Sequence, residues 1–345
     1  MPTTRYASPS LLVGALVLTL TTWANAASSA DAQAATESSS AGTTADDYRK
    51  YFSPLPALPP IPSNNSLTAE KIALGKMLFF EPRLSQSSNI SCASCHNPAL
   101  AWTDRLPTAV GHDGQVGNRN SPTVLNTGFL TAQFWDGREP DLESQALGPI
   151  QNSVEMAHDL DGALARLSSL PGYMAPFRNA FPDSDEPLSA DHLAAAIASF
   201  ERTLNTPNAP LDRYLMGDDE ALTDEQQAGM MAFVDQGCIA CHRGPNFSDS
   251  GFHPIQVPGS DDPGRFAVTS DQADRQAFRT ASLRNVALTY PYFHDGSAAT
   301  LEEAVSVMGR EMLGKELDDA TITQLVAFLG SLTGDQPTVT VPALP

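Results

Sequence analysis

Basic residues are scarce in this chain. It has 20 Lys and Arg against 40 Asp and Glu among 345 residues, so its formal net charge is −20. A nucleic-acid-binding protein needs a basic face to displace counterions from phosphates, and an anionic membrane attracts the same kind of face. The charge balance therefore argues against both partners and favours a small neutral substrate or a basic protein.

Long apolar runs are also missing. The longest, residues 11–20, is too short to cross a bilayer as a helix. It follows Arg5 and precedes Ala24-Asn25-Ala26, which is the pattern of a secretory signal cleaved near Ala26. The alternative is an uncleaved anchor. The pattern predicts an exported protein, periplasmic in a bacterium, with no membrane span in the mature chain.

A low-complexity stretch follows the predicted signal. Residues 27–47 are rich in Ala, Ser and Thr without apolar periodicity, and prolines recur at Pro54, Pro56, Pro59, Pro60 and Pro62. Such composition is typical of extended, unpacked chain. It predicts a flexible lead-in over residues 27–66.

Cysteine is rare, with four residues in the chain, and its spacing is informative. Cys92-Ala93-Ser94-Cys95-His96 and Cys238-Ile239-Ala240-Cys241-His242 are both C-x-x-C-H, and no cysteine lies outside them. This motif attaches c-type haem: two thiols bind the porphyrin and the adjacent His becomes an iron ligand. Disulfides or a zinc site fit the spacing less well. The motifs predict two covalently bound haem c groups, with His96 and His242 as axial ligands.

The surroundings of the two motifs repeat. Leu67-Thr68-Ala69-Glu70 and Leu222-Thr223-Asp224-Glu225 each predict a Thr-capped helix before a motif. Downstream, Phe134-Trp135-Asp136-Gly137 matches Phe293-His294-Asp295-Gly296. Helical patterns at 192–204 and 319–333 close the halves, and sustained period-2 stretches are lacking. The sequence predicts a mainly α fold of two homologous cytochrome c-like domains, residues 67–205 and 206–345.

The repeat also separates the two iron sites. Met308 lies opposite Pro149 in the alignment of the halves. A Met thioether can ligate haem iron, whereas a Pro cannot, so the second haem can be closed and the first must be open or closed by another group. Spacing alone leaves Met312, one helical turn on, almost as good as Met308. His112, in a Gly-rich loop, is a candidate displaceable ligand for the first haem.

These residues resemble the bacterial dihaem cytochrome c peroxidases from about residue 67 to the C-terminus. The motifs that carry the resemblance are Leu78-Phe79-Phe80-Glu81-Pro82-Arg83, Arg119-Asn120-Ser121-Pro122-Thr123, Gln133-Phe134-Trp135-Asp136-Gly137-Arg138, Gly148-Pro149-Ile150-Gln151-Asn152 and Leu283-Arg284-Asn285-Val286. The resemblance implies reduction of hydrogen peroxide to water with electrons from a small periplasmic cytochrome c or cupredoxin. It also implies a homodimer, for which the sequence carries no interface signature.

The resemblance further implies roles for individual residues. The N-terminal, peroxidatic haem has His96 as its proximal and His112 as its displaceable ligand, and the C-terminal haem has His242 and Met308. The family's distal pocket matches Gln145, Pro149 and Glu155, and its inter-haem tryptophan matches Trp135. A calcium ion between the domains is held by the Asn120 side chain and by carbonyl groups matching Thr289 and Pro291.

The chemistry of peroxide cleavage agrees with these roles. Glu155 can move a proton between the two peroxide oxygens if burial raises its pKa, whereas Gln145 can only hydrogen-bond. We expect reduction of the C-terminal haem to release His112. We also expect His294 to contact a haem propionate, and His158, His192 and His253 to be surface residues.

Three other functions remain open. The dihaem enzyme of methylamine utilisation oxidises tryptophans on a partner protein. It has Tyr where Met308 stands and lacks the displaceable His, so Met308 and His112 favour the peroxidase. A plain dihaem electron carrier would need neither an open iron nor the Glu155 and Gln145 pair. A peroxide sensor also fits the sequence.

Overall fold

The computed structural model describes residues 44–345, so the predicted signal lies outside the described residues. Across residues 44–345 the helices are α1 (Ala45–Tyr48), α2 (Ala69–Phe79), α3 (Cys92–Cys95), α4 (Leu142–Gln151), α5 (Leu160–Ser168), α6 (Met174–Ala180), α7 (Ala190–Glu201), α8 (Pro210–Leu215), α9 (Asp224–Gln236), α10 (Phe266–Thr269), α11 (Leu301–Leu313) and α12 (Asp319–Gly330). The strands β1 (Phe252–Pro254) and β2 (Ala277–Arg279) form one antiparallel pair. The mainly α prediction is confirmed for this part of the chain.

Helices α2 and α9 begin where the sequence predicts. The Thr68 hydroxyl accepts a hydrogen bond from the Lys71 amide at 3.2 Å, and the Thr223 hydroxyl accepts one from the Gln226 amide at 3.2 Å. Acidic residues occupy the first turn of both helices, where they interact favourably with the positive end of the helix dipole. The two haem motifs are thus each preceded by a helix of the same design.

Each half is built around one close helix crossing. A Cβ atom on Gly75 would lie 1.8 Å from the Ala196 carbonyl oxygen, and a Cβ on Gly229 would lie 1.9 Å from the Gln324 carbonyl oxygen. Only glycine therefore allows α2 to approach α7, and α9 to approach α12, this closely. The same contact in both halves supports the internal repeat.

Two aromatic cores flank these crossings. In the first half Phe79 packs against Trp102 and Phe200, with ring centroids 5.7 and 5.4 Å apart. In the second half the core is formed by Phe233, Phe247 and Phe328. Both cores lie beneath the haem motifs, so they fix the position of the helix that precedes each motif.

Part of the predicted lead-in is packed. Phe52 is buried in the second core, 5.8 Å from the Phe247 ring. Tyr48 donates a hydrogen bond to Asp235 at 2.8 Å, and Arg49 donates one to the Tyr214 carbonyl at 3.0 Å. The prediction of a flexible segment up to residue 66 therefore differs from the structure over residues 44–52, and Leu55 and Asn65 further along are buried as well. Apolar and charged side chains anchor residues 44–52 to the second half, although the composition upstream is low in complexity.

Candidate haem site

One cavity of about 1320 Å³ connects the two C-x-x-C-H motifs. Its wall includes Cys95 and His96 from the first motif and Cys238, Cys241 and His242 from the second. Cys92 packs beside it against the first core. All four thiols are free of disulfide bonds. The fold therefore presents both predicted attachment sites to one enclosed space.

The ring of His242 is oriented for a ligand at its far nitrogen. Its Nδ1 lies 3.1 Å from the Phe247 carbonyl oxygen, and a hydrogen bond on that nitrogen leaves Nε2 as the nitrogen that can ligate a metal. Burial lowers the pKa of both His96 and His242, so each imidazole is neutral, the form that ligates metal. These residues fit a c-type haem at each motif.

The four thiols are inert in the absence of a reaction partner. Burial raises the pKa of Cys95 and of Cys238 to about 11, and it also raises the pKa of Cys92 and Cys241. A thiol is a nucleophile or metal ligand only as the thiolate. All four thiols are therefore protonated at neutral pH, which disfavours metal binding by free thiolates.

The predicted distal residues gather on the wall of the first half. Gln145 and Pro149 from α4 and Glu155 from the loop after it all line the cavity that contains His96. Asn152 donates a hydrogen bond to Glu155 Oε1 at 2.6 Å. Burial raises the pKa of Glu155, although the Arg138 charge and the Asn152 amide act against this rise. A partly desolvated carboxyl group with a raised pKa is suited to accept and return a proton.

His112 is not among these residues. It lies at the tip of a hairpin in which Val110 pairs with Val116, and it lines a second cavity of about 460 Å³ with Gln86 and His158. Its backbone amide donates a hydrogen bond to the Glu155 carbonyl at 2.7 Å. The structure therefore does not bring His112 and His96 to one cavity, and iron ligation by His112 requires a different loop conformation.

Gly111 explains why the hairpin can lie so close to Glu155. A Cβ atom at Gly111 would lie 2.1 Å from the Val154 carbonyl oxygen. A side chain there would push the hairpin off the backbone of residues 154–155. The close approach, and with it the His112 hydrogen bond, depends on this glycine.

Two methionines reach the second haem motif. Met308 and Met312 both lie on α11 and both line the cavity. The structure thus leaves both within the same wall, as their spacing of one helical turn predicts. Met308 as the ligand stays a prediction.

Trp135 lies at the junction of the two halves. Its indole nitrogen donates a hydrogen bond to the Asn120 carbonyl at 2.9 Å, and its ring centroid is 6.4 Å from that of His294. The Asn120 amide in turn donates to the His294 carbonyl at 2.7 Å. Since His294 matches Trp135 in the repeat, the two equivalent positions meet at one point.

The residues predicted to hold calcium share this region. Asn120, Thr289 and Pro291 all line the cavity. The Asn120 side-chain amide donates to the Leu106 carbonyl at 2.8 Å, which orients its other side-chain atom, the oxygen, for an acceptor role. Oxygen donors of this kind suit calcium. The calcium site itself stays a prediction.

The remaining histidines differ from one another. His158 is buried and its Nδ1 lies 3.1 Å from the Leu84 carbonyl oxygen, so the prediction of a surface residue was wrong. The Gly- and Asn-containing turn before it gave no signal of that burial.

His192 stacks on Phe181 with ring centroids 3.9 Å apart. His253 lines the haem cavity with Asp249 3.3 Å away. His294 is buried, stacks on Phe278 and lies 2.7 Å from Ser260 Oγ.

The sequence did not predict a role for three charged residues of the cavity wall. Arg119 binds Asp262 through two hydrogen bonds of 2.7 and 2.8 Å, which joins the two halves. Arg279 is buried with carbonyl partners, and burial lowers its pKa to about 10. Glu201 is also buried in the wall. Arg119 stands in a quoted motif, but no sequence pattern signalled the partners of these residues.

The fold and the cavity define a c-type cytochrome with two haem attachment sites, and the comparisons with known proteins agree. A model of the family described as di-haem cytochrome c peroxidase matches residues 69–220. The cytochrome c551 peroxidase of Pseudomonas aeruginosa is 47% identical over 308 residues, which are 87% of this chain and 89% of that protein. The methylamine utilization protein MauG of Methylorubrum extorquens is 43% identical over 299 residues, 83% of this chain and 84% of that protein.

A solved structure is also similar. A MauG-like protein associated with microbial copper homeostasis superposes with a TM-score of 0.73 at 30% identity, covering 83% of this chain and 94% of its own. The chain belongs to the di-haem cytochrome c peroxidase family. It is an oxidoreductase of the cytochrome c peroxidase class that carries two haem c groups.

Among residues 44–345, no helix combines the length and the apolar character that crossing a bilayer requires.

Proposed function

We propose that this protein reduces hydrogen peroxide to water in the periplasm, with electrons from a small cytochrome c or cupredoxin. The observation that carries the proposal is the distal wall beside His96. There a half-buried carboxyl group with a raised pKa, Glu155, shares the cavity with Gln145, and Pro149 stands where a ligating side chain would close the site.

His96 and His242 would each hold a haem, of which the first would supply an iron site for peroxide and the second an electron. Glu155 accepts the proton from one peroxide oxygen and returns it to the other oxygen, which leaves as water. Asn152 holds the Glu155 carboxylate by the 2.6 Å hydrogen bond. Gln145 donates a hydrogen bond to peroxide and cannot supply a proton. Trp135, which is half-buried and lines the cavity shared by the two haem motifs, would serve as the electron relay between them.

We further propose that the His112 hairpin gates this site. In the conformation described, His112 lies outside the large cavity and its backbone is bound to Glu155. With His112 on the iron of the N-terminal haem, peroxide could not bind. Reduction of the C-terminal haem, ligated by His242 and Met308, would favour release. Populating the open form dominantly requires a preference of a few kcal/mol.

A calcium ion on Asn120, Thr289 and Pro291 would couple the two halves. Asn120 accepts the Trp135 hydrogen bond and donates to His294, so an ion there would order the junction. We expect that removal of calcium by a chelator slows activation and that added calcium restores it. The measurement is the rate at which the high-spin haem signal appears after reduction. Unchanged rates in calcium-free protein would contradict this role.

The acidic surface supports a basic donor. With a net charge of −20, docking of a basic cytochrome c is steered electrostatically, so the second-order rate falls as ionic strength rises. The resemblance also implies a homodimer, which sedimentation of the holoprotein tests.

The first experiment records visible and EPR spectra of the calcium-loaded protein, oxidised and then treated with ascorbate, before one equivalent of peroxide is added. We expect one haem to reduce, the other to become high-spin, and peroxide to be consumed at once. A reactive high-spin haem in the oxidised protein would keep the peroxidase and remove the gate. Persisting peroxide with two low-spin haems would indicate an electron carrier.

Oxidation of a partner protein, which the resemblance to the methylamine-utilisation enzyme implies, is the second candidate. The identities to both kinds of relative are close, 47% and 43%, so overall similarity does not separate them. Met308 and His112 do, because the methylamine-utilisation enzyme has Tyr at the first position and lacks the second. Replacement Met308→Tyr should therefore shift the high-potential haem toward lower potential and remove the reductive gate.

A further inference from the structure

Glu201 is a buried carboxyl group that the proposed reaction does not use. It is the last residue of α7 and is 4% exposed, and it lines the large cavity together with Cys95 and His96. Its Oε2 is buried and has no hydrogen-bond partner among residues 44–345. A buried oxygen without a partner is costly, and the cost is far greater when the group is charged.

The neighbours of Glu201 do not compensate a negative charge. Arg202 is adjacent in sequence, but its guanidinium binds Glu143 of α4 through two hydrogen bonds of 2.7 Å. Glu143 itself repels a second carboxylate. The face of α2 that packs on α7 is apolar, with Leu74 and Leu78 buried. The carboxyl end of a helix is also the negative end of its dipole.

Glu201 therefore favours the protonated form. Burial raises its pKa to about 8, the Arg202 charge opposes the rise, and the Glu143 charge adds to it. The group lies near the first haem motif: burial raises the pKa of the Cys92 thiol, and Glu201 contributes to that rise. The titratable and charged groups facing Glu201 are thus Arg202 on its own helix, Glu143 on α4 and Cys92 on α3.

We propose that Glu201 is the proton-binding residue that couples reduction of the N-terminal haem to proton uptake. The inference rests on the proposed function only in placing that haem on His96. At a pH where Glu201 is ionised in the oxidised protein, one electron from the donor would remove one positive charge from the haem site, and the Glu201 carboxylate would then take one proton from solvent. Oxidation reverses both steps, so charge and atoms balance.

The role gives the N-terminal haem a potential that depends on pH. Near neutral pH and above, the wild-type potential should fall as pH rises. The limiting slope is a tenfold change in the redox equilibrium constant per pH unit, about 59 mV for one electron. The C-terminal haem, on the other motif, should show little of this slope and serves as a control within the same sample.

The experiment is a spectroelectrochemical titration of the purified holoprotein at several pH values, with Glu201→Gln and Glu155→Gln as matched amide variants. We expect Glu201→Gln to flatten the pH dependence of one haem and Glu155→Gln to leave a slope in place. A Glu201→Gln protein with the wild-type slope would overturn the proposal. So would a slope that disappears only in Glu155→Gln.

Redox difference infrared spectroscopy gives an independent readout. Reduction of the wild-type protein should produce the carbonyl stretch of a protonated carboxylic acid, and that band should persist in Glu155→Gln. If Glu201→Gln fails to bind haem, loss of the band in Glu155→Gln would by itself overturn the proposal. Peroxide consumption, measured on the same wild-type sample, tests the proposed function separately, because a pH-linked potential does not depend on turnover.

Discussion

At the scale of single residues, one side chain of the distal wall carries out the proton transfer. Glu155 is the residue there whose half-buried carboxyl group can both accept and return a proton, and Gln145 on the same cavity wall cannot. Asn152 and Arg138 set its position and its charge. The two predictions at this scale concern the carboxyl group itself and the charge that acts on it.

Replacement Glu155→Gln removes the proton carrier and keeps the shape of the site. We expect the turnover of peroxide to fall by about 10²–10⁴-fold, the usual contribution of a general acid–base group. Haem content and both reduction spectra should stay as in the wild type. Steady-state peroxide consumption measures the effect, and Glu220→Gln, an exposed carboxyl group, is the control. A loss below threefold would remove Glu155 from the mechanism.

Replacement Arg138→Gln should move the acid limb of the pH profile. Glu155 must be ionised to accept a proton, so activity is present above its pKa and is lost as pH falls through it. The Arg138 charge lowers that pKa, so its loss shifts the limb to higher pH. Because the Arg138 side chain is 36% exposed, solvent screens its charge and the shift should be small. The measurement is kcat/KM against pH. Arg213→Gln, which is remote and exposed, should leave the limb in place.

At the scale of elements, two glycine contacts set the helix pairs that carry the haem motifs. Since a Cβ at Gly75 or Gly229 would overlap a carbonyl oxygen of the facing helix, either helix pair must separate to accept alanine. The helix starts follow from local sequence, but these crossings follow from packing between segments more than 80 residues apart in sequence.

Replacement Gly229→Ala should therefore destabilise the protein although alanine favours helix. Overpacking of this kind costs about 1–3 kcal/mol in the free energy of unfolding. Gly330→Ala is the matched control, because a Cβ on Gly330, at the end of α12, meets nothing within 4 Å. Denaturant unfolding of the holoproteins measures both. Equal stability of the two variants would show that α9 and α12 can separate freely.

The sequence was sufficient for the repeated parts and insufficient for the contacts between them. Threonine caps and apolar periodicity predict α2, α7, α9 and α12, because these signals are local. The C-x-x-C-H spacing predicts the cavity wall at His96 and His242. The burial of His158 and the hairpin position of His112 depend on tertiary packing, which no local pattern encodes. Glu201 was missed for the same reason.

At the scale of the whole molecule, one hydroxyl group joins the two halves. The Thr206 hydroxyl accepts hydrogen bonds from the side-chain amides of Asn126 at 2.8 Å and Asn285 at 2.9 Å. These asparagines are equivalent in the repeat, and both have left-handed backbone conformations with φ of 60° and 62°. Thr206 is fully buried, so the two halves share a polar contact at their boundary.

Replacement Thr206→Val keeps the shape of this residue and removes both acceptor interactions. Each buried amide left without a partner costs about 1–3 kcal/mol, so we expect a clear loss of unfolding free energy. Thr206→Ser keeps the hydroxyl group and should retain most of the stability. Denaturant unfolding followed by haem absorbance and by tryptophan fluorescence checks the result. A Thr206→Val protein as stable as Thr206→Ser would mean that water replaces the hydroxyl group.

The hydrogen bond from the His112 amide to the Glu155 carbonyl links the position of the hairpin to the position of Glu155. While that bond exists, the His112 side chain lies outside the large cavity. If His112 is the gate, the hairpin must leave Glu155 before it can block the iron, and it must return to Glu155 when the iron is free. The hairpin would then hold the backbone of Glu155 in place only while the iron site is open to peroxide. Peroxide would therefore reach the site only when Glu155 is positioned to transfer its proton.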